Sequence, residues 1–389
     1  MYLFPTYKRY PVHFVYGEGA LLKDAQGKSY LDFSSGIGVN NLGHRNPRVV
    51  EALARQAEAV WHVSNLFDQP MQEKVAKKLC EISGLDAVFF CNSGAEANEA
   101  SIKLARKWAR DARIINEPEI ITFTGSFHGR TLATLTATGQ KKVKKGFDPL
   151  PGGFRHVPYG DLEAVKRVTG TSTAGVLLEL VQGEGGVRPA NAGFVRGLAQ
   201  WCKEKQILLI VDEVQTGIGR TGDWFAFQKY GIKPDIVSVA KGLGNGFPVG
   251  AMIGASHLKS VLGPGSHGTT FGGNPLAMAV CDAVLAEIEQ TGLLREVKRK
   301  SVFLKQKLDE EISPLPAVEE VRQQGFMVGI ELNRPVAQVI GKLLENGLVT
   351  LSAGERVLRL LPPLIVKEKE ISQAISIIKQ TLAPTKIAV

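Results

Sequence analysis

Three short stretches of the chain end apolar runs in residues that can do chemistry. They are Lys241 in DIVSVAKGLGNGFPVGA, Asp212 and Glu213 in ILLIVDEVQTG, and Ser93-Gly94-Ala95 in VFFCNSGAEANEAS. A lysine fixed at a buried strand end has its charged form disfavoured, which makes the amine a better nucleophile; a solvated loop lysine is the alternative. A carboxylate at such a place is costly to bury unless a protonated ring nitrogen, a metal or a capping role offsets its desolvation. Small residues where a strand meets a helix free the first backbone N–H groups and the positive end of the helix dipole, which suits phosphate; a plain turn capped by Asn92 or Ser93 would need the same residues.

Other chemistries fit less well. The seven histidines show neither H-x-x-x-H nor H-x-x-E-H spacing, which disfavours a metal site. The glycine-rich loop after Lys241 lacks the G-K-[ST] of a P-loop. No glycine fingerprint follows a first strand with an acidic residue about 20 positions on, as a nicotinamide-dependent dehydrogenase on a doubly wound sheet would need. Taken together, the three stretches ask for an anionic, aldehyde-bearing ligand whose ring nitrogen takes a carboxylate partner, and pyridoxal 5'-phosphate meets all three demands.

The elements that must position these residues follow from the hydrophobic pattern. Between residues 88 and 255 the runs VFFCNSG, EIITFTGSF, AGVLLELVQ, ILLIVDEVQ, DIVSVAKG and VGAMIGA alternate with helical stretches. Runs so continuously apolar predict strands buried on both faces, hence an α/β fold with a mainly parallel sheet flanked by helices. Ligands of such sheets gather outside the carboxyl ends of the strands, where the three stretches lie. Upstream, VYGEGALLKDAQGKSYLDFSSG predicts a meander of short strands, and helices are expected from Pro47 to Val63 and from Met71 to Ser83. After Asn274-Pro275 a long helix runs through Glu289 and more helix to about Ile312, then strand-like FMVGIEL and VLRLLPPL separated by a helix. The expected division is residues 1–46 as an N-terminal segment, 47–274 as the large cofactor-binding domain and 275–389 as a C-terminal part, the two ends joining in a smaller α+β domain.

Composition sets the outer limits. At 389 residues, with 44% hydrophobic and 22% charged residues, the chain can bury a large core. Cys80, Cys91, Cys202 and Cys281 form no C-x-x-C pair and read as buried apolar residues in a reducing compartment. With no secretory signal and no membrane-length apolar stretch, the cytoplasm is expected. A formal charge of +9 favours anionic small molecules by long-range attraction. The run Lys141, Lys142, Lys144, Lys145 carries no aromatic stacking positions, so a solvated face is expected there rather than a nucleic-acid surface.

The ordered segments GIGVNNLGHRNPRV, SGAEANEASIKLAR, SFHGRT, QGEGG, DEVQTGIGRTG, AKGLGNGFPVGA, HGTTFGGNP and VLRLLPPL resemble the class III, ornithine-type aminotransferases of fold type I over essentially the whole chain. The resemblance implies that Lys241 carries the cofactor as a Schiff base and that Asp212, followed by Glu213 in the same motif, pairs with its ring nitrogen. Val214 and Phe127 would flank the ring, Gln215 would lie near its hydroxyl, and Gly94 and Ala95 would bind the phosphate with Thr270 from the second subunit of a homodimer. Arg130 and Thr269 would contact the far end of the amine substrate. Arg359 would bind the α-carboxylate of glutamate or 2-oxoglutarate, with Glu184 covering it in alternation, and His128 would orient its loop. The implied reaction is a ping-pong transamination between N-acetylornithine and 2-oxoglutarate. Ornithine, succinylornithine, succinyl-diaminopimelate and 4-aminobutyrate are the alternative amines. Two departures are visible: Glu179-Leu180-Val181-Gln182 stands where many members read E-P-I-Q, and Ile37 stands near a tyrosine of the ornithine enzymes, which favours the acetylated substrate.

Overall fold

In the computed structural model, which describes residues 2–383, seven strands form one central sheet. Their order across it is Ala87–Cys91, Gly250–Gly254, Ile236–Val239, Leu208–Asp212, Thr173–Glu179, Glu119–Phe123 and Phe154–Val157. Every pairing is parallel except those of Gly250–Gly254, which runs antiparallel to both its neighbours. The mainly parallel sheet expected from the sequence is therefore present.

Side-chain alternation shows why these runs are so apolar. Leu177, Leu208, Ile210 and Ile236 face one core with Ala100, Ile102, Leu104 and Ala105 of the long helix Gly94–Arg113. Val176, Leu178, Leu209, Val211, Val237 and Val239 face the opposite core, which continues through Phe194, Val195 and Leu198 of the helix Ala192–Lys205. With both faces covered, period-two alternation of polar residues disappears.

The chain ends supply two further sheets. Phe14–Glu18, Leu21–Asp24 and Ser29–Asp32 form the expected meander, and the third strand pairs in parallel with Leu348–Val349. The second sheet is antiparallel, in the order Val318–Gln324, Met327–Leu332, Val357–Leu360, Leu351–Ser352. Helices Leu293–Glu311 and Ala337–Glu345 pack on these sheets, and Glu368–Leu382 packs on both helices.

The pattern-based boundaries differ from the structure in four places. The helix expected to reach Val63 spans Pro47–Ala57, because the Trp61 indole turns back to donate to the Ala57 carbonyl at 2.7 Å and closes the last turn. Phe154–Val157 and Val318–Gln324 carry Arg155, His156, Glu319, Glu320 and Arg322, so edge strands with one paired side look polar in sequence. Beyond VLRLLPPL, where no further element is expected, lies the helix Glu368–Leu382. Among the described residues no helix is long and apolar enough to cross a membrane.

Candidate active site

Strand register places the chemistry. Asp212 stands opposite Glu179 on one side and Ser238 on the other, so three strands end level with one another. Beyond these ends lies a cleft of about 390 Å³, whose walls include Ser93, Gly94, Ala95, Phe127, Arg130, Glu184, Asp212, Val214, Gln215 and Lys241.

Asp212 is 4% exposed. Its Oδ2 accepts from the Asn98 amide and is paired with His128 Nδ1, each at 2.8 Å, and its Oδ1 accepts from the Val214 N–H at 3.0 Å. A buried carboxylate so thoroughly held has one orientation, with its edge in the cleft wall. Glu213 goes the other way: its carboxylate accepts from the Thr216 hydroxyl and from the Phe227 N–H, the latter at 2.9 Å. It lies outside the cleft, and burial pushes its carboxyl up to about 7.

Lys241 leaves its strand in a left-handed backbone conformation, φ 42°, which costs a non-glycine residue about 1–3 kcal/mol and is found where function over-determines the backbone. Gly242 must follow, since a Cβ there would lie 2.1 Å from the Asn41 amide. Desolvation holds the Lys241 amine below its ordinary value, while the negative charges of Glu184 and Asp212 pull it back up.

At the start of the helix Gly94–Arg113, Ser93 Oγ accepts from the Glu96 N–H at 3.2 Å, and the Ser93 carbonyl accepts from Ala97 N–H at 3.0 Å. The preceding amides of Gly94 and Ala95 have no protein acceptor among the described residues and line the cleft. A Cβ on Gly94 would sit 2.6 Å from Val214, so the helix start and the residue behind Asp212 are packed directly together. Free amides, a desolvated amine and a fixed carboxylate around one cavity suit a phosphorylated aldehyde with a ring nitrogen.

At the edge of the cleft Arg359, 2% exposed, donates from Nη1 to Glu184 at 2.6 Å, to the Gly183 carbonyl at 3.2 Å and to Gln215 at 3.4 Å. The guanidinium of Arg130 lies over the Phe127 ring, 5.5 Å from its centroid. Thr269 stands beside the cleft, its hydroxyl accepting from the Asn92 amide at 3.3 Å, while Thr270 is exposed on the surface. Asn98 and Glu179 also line the cleft. Asn98 carries a usable signal, an amide in the interior of a helix where propensity disfavours it unless a tertiary partner is waiting; Glu179 shows none beyond closing an apolar run.

The sequence profile of the family described as Aminotransferase class-III matches residues 4–382. Acetylornithine aminotransferase of Halalkalibacterium halodurans is 54% identical over 381 residues, covering 98% of each chain. That of Bacillus subtilis is 52% identical over 382 residues, covering 98% of this chain and 97% of its own. Among solved structures, an ornithine aminotransferase of Toxoplasma gondii, described with partial occupancy of PLP at its active site, superposes with a TM-score of 0.94 at 33% identity, covering 98% of this chain and 92% of that one. An acetylornithine aminotransferase of Elizabethkingia anophelis gives 0.88 at 32%, covering 98% and 96%. On a match that spans the fold and every wall of the cleft, the chain belongs to the class III aminotransferases.

Proposed function

We propose that the protein is a cytoplasmic acetylornithine transaminase of arginine biosynthesis. It moves the terminal amino group of N-acetylornithine to 2-oxoglutarate, giving N-acetylglutamate 5-semialdehyde and glutamate, with pyridoxal 5'-phosphate in the cleft. The observation that carries this reading is the convergence of the Lys241 amine, the Asp212 carboxylate and the unpaired Gly94 and Ala95 amides on one cavity. The similarity to acetylornithine enzymes at about half identity over nearly the full length supports the substrate.

When bound, the cofactor supplies a protonated pyridine ring that accepts the electrons left on the amine-bearing carbon. Lys241 would hold it covalently and, once displaced, move the proton at that carbon; an amine with lowered proton affinity suits a general base near neutral pH. Asp212 would keep the ring nitrogen protonated, and Asn98, His128 and the Val214 amide hold that carboxylate in place. Val214 and Phe127 would flank the ring, Gln215 would meet its hydroxyl, and the Gly94 and Ala95 amides would take the phosphate. Arg359 would bind the substrate α-carboxylate, and Glu184, now on Arg359 at 2.6 Å, would neutralise it when the far-end amine is the substrate. Arg130 and Thr269 would meet the acetylated end.

A homodimer completes this reading. Thr270 is exposed outside the cleft, so it would serve a neighbouring subunit's phosphate. Beside it, His62 packs on Phe271 at 5.3 Å, and Asn65 bonds the carbonyls of Thr269 and Gly272. Exposed Trp61, Leu66, Phe67 and Phe271 make that region apolar. The deciding experiment measures initial rates with 2-oxoglutarate and N-acetylornithine, ornithine, N-succinylornithine, succinyl-diaminopimelate or 4-aminobutyrate. The acetylated amine is expected to have the highest kcat/KM; a preference of tenfold or more for another amine overturns the substrate assignment.

A further inference from the structure

Two loops that carry different halves of the cleft meet on one side chain. Glu179 ends its strand beside Asp212, is 6% exposed and lines the cleft. Its Oε2 accepts from the Phe127 N–H at 2.9 Å, and its Oε1 accepts from the Gly183 N–H at 3.3 Å. The first loop brings Phe127, His128 and Arg130, with His128 on Asp212; the second brings Glu184, with its carboxylate on Arg359. The Tyr159 hydroxyl donates to the main-chain carbonyl of Glu179 at 2.8 Å, which fixes the backbone from which the carboxylate reaches out.

We propose that Glu179 is a positioning residue whose ionised carboxylate clamps the Phe127–Arg130 loop to the Gly183–Glu184 loop, so that the ring-binding and carboxylate-binding halves of the site are assembled together. The proposal rests on the aminotransferase reading of the cleft for its catalytic meaning, but the clamp itself is a property of the chain. Two N–H donors on two oxygens require an acceptor-only group, which a carboxylate is and a carboxamide or a protonated acid is not.

The groups around Glu179 are Asp212 on the adjacent strand, His128 and Arg130 on the first loop, Glu184 and its partner Arg359 beyond the second, Lys241 across the cleft, and Tyr159 against the backbone. Burial first, and then the charge of Asp212, raise the Glu179 carboxyl, against the pull of His128 and the two amides. Because the two amide bonds favour the ionised carboxylate, the clamp holds more firmly at higher pH than at lower pH.

The test uses the holoenzyme and its Glu179→Gln variant. The glutamine keeps the volume but faces one of the two amides with its own NH2. Backbone hydrogen exchange, corrected for its intrinsic pH dependence, is read at residues 125–131 and 183–186 without substrate, at pH 6 and pH 8. In the wild type both segments are expected to exchange about tenfold faster at pH 6. In the variant at least one segment exchanges at the fast rate at both pH values, and the acidic limb of the kcat/KM profile is flattened. Equal exchange in wild type and variant at both pH values, with the acidic limb unchanged, overturns the clamp. If the variant does not fold, the wild-type pH comparison decides alone. A wild type that takes up no cofactor overturns the aminotransferase reading instead, and leaves the exchange result standing.

Discussion

Lys241 combines a strained backbone with a desolvated amine, and each can be separated by substitution. Alanine keeps the same backbone cost and removes the amine, so Lys241→Ala is expected to fold and to lose turnover by about 10⁴-fold or more. Borohydride treatment should then fix no chromophore on the peptide containing position 241. Asp212→Asn keeps the shape and removes the charge, and kcat should fall by about 10²-fold or more, measured as single-turnover rates at saturating cofactor. Glu213 gives a prediction about stability. Its carboxyl keeps a proton in the fold up to about 7 and has an ordinary value of 4.5, so the stabilisation is fully present below the ordinary value and lost as pH rises through 7. The loss across that window is about 2–4 kcal/mol. Glu213→Gln should therefore flatten the decline in urea stability between pH 5 and 8. The position of Lys241 and Asp212 at buried strand ends was legible because a charged residue closing an apolar run has few inexpensive explanations. The opposite orientations of Asp212 and Glu213 were not, since alternation along a strand end depends on which amides happen to be free around it.

Among the elements, the start of the helix Gly94–Arg113 has the narrowest tolerance. Ser93→Ala removes the acceptor for the Glu96 N–H and should cost about 1 kcal/mol of unfolding free energy. Gly94→Ala meets Val214 at 2.6 Å. It should lower both stability and cofactor retention, read as a lower melting temperature and, in the folded protein, a higher Kd by fluorescence titration. Six strands announced themselves by continuous apolar runs, five of them interior to the sheet with both faces covered and Ala87–Cys91 an apolar edge. The edge strands Phe154–Val157 and Val318–Gln324 did not, because an unpaired edge favours charged residues that break the apolar run. The overextended helix near Val63 shows a different limit: an indole six tenths exposed ended it by a hydrogen bond that no periodicity encodes.

Across the whole molecule, Arg220 joins pieces far apart in sequence. Its fully buried guanidinium donates to Asn41 Oδ1 at 2.6 Å and to the carbonyls of Pro362 and Phe326, and burial lowers it to about 9. Arg220→Ala strands these acceptors, each costing about 1–3 kcal/mol, and urea unfolding should show a loss of about 3 kcal/mol or more. Strand patterns near each terminus were legible, whereas the parallel pairing of Ser29–Asp32 with Leu348–Val349 was not, because register between distant segments is set by tertiary packing. That pairing, Leu31 with Leu348 and Asp32 with Val349, has a consequence on the ribosome. The meander is made well before its partner and gains its fourth strand only after residue 348 is translated. While the residues between them are made it presents an open edge, and any chaperone that shields nascent strands has a long task at this meander.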